Sequence, residues 1–391
     1  MAMIAGRLVY AGSKLSLSNR WKDTALWELC GVEGEVDVEE HCYKAMDRLL
    51  ERQSSIQKIL VEKHLRNGSL VLYDITSSYC EGKYQDSEIV TYGYNRDGKR
   101  GHEQVVIGLL CSSEGCPVAV EVFAGNTQDA KTLQEKIAEV QKRYGIEEVI
   151  FVGNRGMITR ANYQKIKDKR GLMMISALTH RQIRELSKRG VLQQELFDEK
   201  EIIEVLDPEN PGQRYCLCRN PLGAERESKT RKELLEVTRK ELDRIAQSRR
   251  TTTSQKIAAR VGKALGKTRM GKQEIVASYK KLTFVEQAFR NLKTVQLEIR
   301  PLYHKTDDRI RCHVFVCMLA YYIQWHMKQR LKPLFASDGK NKYRQWTFES
   351  VIERLKSIRL QTLSVAGVEC KIVSDPEEDQ QKILNYLAIR L

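Results

Sequence analysis

With 391 residues, 41% of them hydrophobic, the chain can bury one large core plus one or two smaller units, which excludes a disordered or fibrous protein. A formal charge of +15 without an amphipathic or lipidation signal favours a polyanionic partner, nucleic acid first, over a membrane; the competing reading is a basic but passive surface. The 10 cysteines lack the two-residue spacing of a zinc knuckle and follow no secretory signal, so they read as reduced core thiols of a cytosolic protein.

Residues 1–68 form a helical N-terminal region. Its clearest stretch is Glu40 to Leu65, where Met46, Leu49, Leu50, Ile56 and Leu60 line one face. Asn67 and Gly68 end it as a helix C-terminus usually ends. The run Leu70 to Thr76, LVLYDIT, then reads as a buried strand carrying one carboxylate, Asp74. Two readings of Asp74 stand open: an acceptor for the next turn at Thr76 to Ser78, or a metal ligand at the edge of a sheet.

A polar loop (Gly93 to Gly101) precedes strands at Val105 to Cys111 and Val118 to Phe123, which with the Asp74 strand make an antiparallel meander. Helical spacing over Asp129 to Tyr144, a buried strand at Val149 to Val152, a helix over Thr159 to Lys169 and a strand at Leu172 to Ala177 follow. This order predicts an α/β fold with a ribonuclease-H-like mixed sheet core. The first part of that core spans 69–182.

Residues 183–272 read as a charged, largely helical insertion. It holds one strand-like piece (Arg214 to Cys218) and a helical stretch from Ala224 to about Lys267 that turns basic after Arg249. That basic stretch is either a solvated face or a DNA contact. The core resumes over 273–335, with a largely apolar helix near Asp307 to Lys328. Its longest apolar run, Val314 to Trp325, is too short to span a bilayer. A helical region, 336–391, closes the chain.

Two further segments carry chemistry. In YKKLTFVEQAFRNLK, Glu286 shares a helix face with Tyr279, Arg290 and Lys293; a surface ion-pair ladder is the plain reading, weakened because Lys280, Lys281, Thr283 and Asn291 already supply a polar face. In FVGNRGM, Asn154 follows a strand end, where open sheets collect ligands. Ser77 and Ser78 lack the glycine pattern and histidine partner of a hydrolase nucleophile.

The segments YDITSSY, RDGKRGHEQVVIGLL, EGCPVAVEVFAGNT, FVGNRGM, YKKLTFVEQAFRNLK and RPLYHKTDDRIRCHVFVCMLAYY, in this order, resemble the cut-and-paste DDE transposases of bacterial insertion sequences from about Tyr10 onward. The resemblance implies Asp74 and Glu286 as the first and third acidic ligands of two Mg²⁺ (or Mn²⁺) ions, with Asn154 at the second position. It makes Tyr279, Glu286 and Lys293 the matches to the signature of tyrosine, arginine, glutamate and lysine, and Tyr279, Arg290 and Lys293 the DNA contacts.

It further implies double-stranded DNA partners, the element's terminal repeats and the target, a dimer in the synaptic complex, no membrane, and a cytoplasmic, nucleoid-associated bacterial location. The sequence departs from the family in carrying Asn154 for an acid, Leu282 for the signature arginine, a shortened stretch after Gly271 and a late start relative to longer members. Three activities follow as expectations: a DNA strand-transfer enzyme, a catalytically silent DNA-binding remnant or inhibitor, or an unrelated metal-dependent nuclease on the same fold.

Overall fold

Apolar, β-branched LVLYDIT becomes the middle of a five-stranded sheet, as strand β1 (Ser69–Tyr79), in which Val71, Leu72 and Tyr73 are fully buried. The structure, a computed structural model, describes residues 1–94, 101–128, 144–153, 172–192, 202–209, 214–218, 282–293, 299–335, 346–365 and 368–391. Strands β2 (Gln104–Ser112), β3 (Pro117–Ala124), β4 (Val149–Gly153) and β5 (Leu172–Ile175) complete the sheet in the order β3-β2-β1-β4-β5. Strand β2 is antiparallel to β1 and β3, whereas β1, β4 and β5 are parallel. A meander continued by parallel strands is the ribonuclease-H-like layout predicted from the sequence. The helices expected at 129–144 and 159–169 lie, apart from Tyr144, outside the described residues.

All of β2 is buried, as a strand covered on both faces must be. Gly108 leaves room there for Tyr73, whose hydroxyl would stand 2.5 Å from an added Cβ.

The N-terminal region is helical as expected. It contains α1 (Ala2–Val9), α2 (Lys14–Asn19), α3 (Leu26–Leu29), a π-helical turn at Glu39–Tyr43, α4 (Lys44–Glu51) and α5 (Gln53–His64). Helix α5 covers the open edge of β3. The Gln57 side-chain oxygen accepts from the Val120 N–H at 2.9 Å, and Gln53 donates to the Val120 carbonyl at 3.0 Å. Two glutamines one helical turn apart thus satisfy an edge that would otherwise pair with another strand.

The chain divides into two units, Met1–Ile175 with Lys281–Leu391, and Ser176–Lys280. The described part of the second unit holds α6 (His180–Lys188), capped by Thr179, and an antiparallel pair, β6 (Ile202–Leu206) and β7 (Arg214–Cys218). There Arg189 bonds the fully buried Asp207 carboxylate at 2.5 Å. Strand β6 adds to the single strand expected for 183–272; the expected long helix at 224–267 lies outside the described residues.

Back in the first unit come α7 (Leu282–Lys293) and α8 (Asp307–Arg330), the latter capped by the Thr306 hydroxyl and packed on α1, α4 and β3. No helix among the described residues is long and apolar enough to cross a membrane. After α8 come α9 (Lys332–Phe335), α10 (Phe348–Leu355), β8 (Leu360–Val365), β9 (Val368–Val373) and α11 (Glu378–Leu387). The expectation that 336–391 is helical is therefore corrected, because β8 and β9 form an antiparallel hairpin. All six residues of β9 are exposed, so backbone pairing rather than a buried face holds it, and no apolar alternation announced it.

Six of the described cysteines are buried, Cys30 is half-buried and Cys370 exposed, all as free thiols. Beneath α1 and α8 the buried Lys14 ammonium contacts Nδ1 of His313, whose Nε2 lies 3.3 Å from the Ile299 carbonyl. Burial, and secondarily the Arg7 charge, pushes Lys14 from its usual 10.5 down to about 7; the thiols of Cys317, Cys312 and Cys42 also face it. Between those values the unfolded chain binds the extra proton, so stability should rise with pH from about 7. The gain should end near pH 9, where unfolded thiols ionise while burial holds Cys42 at about 11 and Cys312 at about 12. Thermal melting across this range should show that rise, and Lys14→Met should flatten it.

Candidate active site

Asp74 projects from β1 with 6% of its surface exposed. Its register partner on β2 is Leu109, and Leu72 pairs with Cys111, so Leu72, Asp74, Leu109 and Cys111 share one face of the sheet. On the other side, β4 ends at Gly153 opposite Tyr73. Strand β1 continues past that point with Asp74, and Asn154 is next in sequence after Gly153. Asn154 itself lies outside the described residues.

Helix α7 packs on β1 and is tied down at both ends. Its first turn meets the β2–β3 turn, where Gly115 combines a φ of +83° with a virtual Cβ only 2.8 Å from Cβ of Phe284. A side chain at 115 would strain the backbone and push the helix away. Past its far end, the Ile299 N–H donates to the Leu292 carbonyl at 2.8 Å, and Leu302 bridges Cys80 just beyond β1. The Leu302 carbonyl accepts from the Glu81 N–H and the Tyr84 hydroxyl, both at 2.9 Å.

The wheel of α7 fixes where Glu286 points. Ala288, Phe289 and Leu292 are buried, while Glu286, Gln287 and Arg290 are exposed. Asn291 hydrogen-bonds Tyr321 of α8, and Cys111 raises the Tyr321 hydroxyl pKa after burial has done most of it. Cys111 also feels Asp74, so α7 and α8 cover the Asp74 face. Glu286 and Asn291 sit about 140° apart around the helix, on opposite flanks of the buried stripe. Because α8 lies over β3 and α7 over β1, the Asn291 flank faces β3 and the Glu286 flank faces β4.

Asp74 and Glu286 therefore occupy neighbouring elements on one face, 212 positions apart in sequence, and Glu286 opens toward the side where β4 ends. Arg290 is exposed one turn after Glu286. Tyr279 and the side chain of Lys293 lie outside the described residues. Sequence reasoning missed the support of α7 by Gly115 and Leu302, since a contact made across the fold leaves no local periodicity.

The family described as the transposase DDE domain matches residues 67–323, more than half of the chain. The chain belongs to this family. The match takes in both Asp74 and Glu286 of the transposase domain. Among solved structures, the transposase is similar to a piggyBac transposase synaptic complex with hairpin DNA at 8% identity and TM-score 0.36, covering 90% of this chain and 68% of that one. It is similar also to a Mos1 transposase paired-end complex with left transposon end, at 13% identity and TM-score 0.20, covering 44% of this chain and 56% of that one. No curated protein matches it.

Proposed function

We propose that this transposase serves a bacterial insertion sequence: it binds the terminal repeats of its own element as duplex DNA, pairs them as a dimer, and carries a strand-cleavage and strand-transfer site weakened by Asn154. The observation that carries this reading is Asp74 at the level where β4 ends, with the Glu286 flank of α7 turned to the same side. The carboxylates of Asp74 and Glu286 and the amide of Asn154 are hard oxygen donors, the set that Mg²⁺ or Mn²⁺ takes. When bound, such ions stabilise charge on the attacked phosphodiester and lower the pKa of the attacking hydroxyl or water.

The chain's own groups do the rest. Arg290 grips a phosphate through its planar fork and Lys293 as a point charge, while Tyr279 packs beside the strand. Water first attacks the phosphodiester at the element end and releases a DNA 3′-hydroxyl; that hydroxyl then attacks a target phosphodiester and displaces the target strand's own 3′-hydroxyl, so one phosphodiester forms as another breaks. The chain's +15 charge supports the polyanionic partner. A second reading, a silent DNA-binding protein that occludes element ends, is favoured by Asn154, which lacks the negative charge of an acid.

Fluorescence anisotropy of labelled element-end duplex against scrambled duplex tests the proposal. Binding should prefer the end sequence in either reading, and equal affinity for both duplexes would refute recognition of a particular element.

A further inference from the structure

Beside the β2–β3 turn, three side chains with soft or borderline donor atoms converge from three elements of the first unit. His64 is the last residue of α5, Cys116 lies in the turn before β3, and His326 stands on α8. One ligand atom from each lies within 4.8 Å of the other two. The His64 Nε2 to Cys116 Sγ separation is 3.9 Å, and the Tyr322 hydroxyl is 2.9 Å from the same Nε2. In a tetrahedral zinc site, bonds of about 2.0–2.3 Å place neighbouring ligand atoms about 3.3–3.7 Å apart. Small side-chain rotations therefore close the cluster around an ion without moving the backbone.

We propose that His64, Cys116 and His326 bind one zinc ion, with the Tyr322 hydroxyl or a water as fourth ligand, and that the ion staples α5 and α8 to the β2–β3 turn. Two observations favour this over a purely packed cluster. Nε2 of His326 is buried and has no hydrogen-bond partner among the described residues, an uncommon state that a metal ion explains. The surroundings also form an aromatic shell: the His326 ring lies edge-on to Tyr322 at 4.5 Å and to Trp325 at 4.9 Å. Such edge-on contacts hold the His326 ring oriented.

The local charges are mixed. Lys63 and Glu114 oppose one another at His64, while Lys63 and Arg330 act on His326. Burial lowers the pKa of both imidazoles. A metal would offset the burial that otherwise disfavours the Cys116 thiolate.

The donor set separates this site from the oxygen cage proposed around Asp74, because sulfur and imidazole select Zn²⁺ where carboxylates take Mg²⁺. Its position gives it a use. The turn it would pin contains Gly115, on which the first turn of α7 rests, so the ion would steady the helix that carries Glu286. This inference stands independently of the proposed function.

Purified full-length protein, stripped with chelator and reloaded with ZnCl₂, tests it by metal analysis after gel filtration and by thermal melting. The expected result is one zinc retained per chain and a raised melting temperature, neither reproduced by millimolar Mg²⁺. Cys116→Ser and His326→Gln should each weaken zinc binding by at least about 100-fold, the top of the range for loss of even a supporting contact. Co²⁺ in the unsubstituted protein should show the intense visible bands of a tetrahedral site and a sulfur-to-metal charge-transfer band, which keeps the test valid should either variant fail to fold. Absence of stoichiometric zinc, absence of the charge-transfer band, or equal retention by folded Cys116→Ser would overturn the proposal.

Discussion

Asn154→Asp is expected to raise Mg²⁺-dependent cleavage of element-end DNA by about 100-fold or more, the scale on which one electrostatic contact with developing charge changes a rate. A neutral amide can donate oxygen to an ion but leaves the cage one negative charge short, and an ion held loosely or off position loses its effect on the transition state. Binding of the DNA should change little, because phosphate contacts from other basic residues set it. A labelled end duplex incubated with Mg²⁺ or Mn²⁺ and resolved on a denaturing gel provides the measurement. Asp74→Ala in the Asn154→Asp background should return cleavage to the starting level. Robust cleavage by the unmodified protein, abolished by Asp74→Ala alone, would mean that the second ligand lies elsewhere.

The core strands were legible because burial writes itself into sequence. Val105 to Cys111 and Val118 to Phe123 are apolar runs bounded by turn residues, and each became a strand only one residue longer at either end. Strand β7 has the same bounds in sequence and structure, and α8 extends only two residues beyond the expected Lys328. What escaped reading has other causes. Strand β6, IIEVL, sits in a stretch whose charge dominated the reading, and the hairpin of β8 and β9 is held by paired backbone on an exposed surface.

Site residues divide in the same way. Asp74 was conspicuous as a carboxylate inside a buried strand, and Glu286 as an acid among cations at helical spacing. Which flank of α7 Glu286 occupies was not legible, because it depends on Asn291 meeting Tyr321 of another helix. The His64, Cys116 and His326 cluster was equally invisible. Its members are 52 and 210 positions apart and match no ligand spacing read from sequence.

Replacing Arg249, Arg250 and Lys256 with alanine is expected to flatten the salt dependence of duplex binding, a result that turns on sequence alone because these residues lie outside the described ones. Each phosphate neutralised by a cation releases condensed counterions, and log K falls against log salt with a slope of about 0.9 per contact. Three lost contacts should therefore reduce the slope by about 2.7, so that raising salt from about 50 to about 200 mM costs the variant about 40-fold less affinity than it costs the parent. Affinity at low salt should fall for the same reason. The two charge readings part here: a merely solvated basic stretch would leave the slope unchanged, since counterions around cations that never meet phosphate are not released by binding. Anisotropy titrations over four or more salt concentrations, run on parent and variant with the same duplex, measure that slope directly. An unchanged value would move the DNA contact to other parts of the +15 surface, with Arg290 the first exposed cation to test.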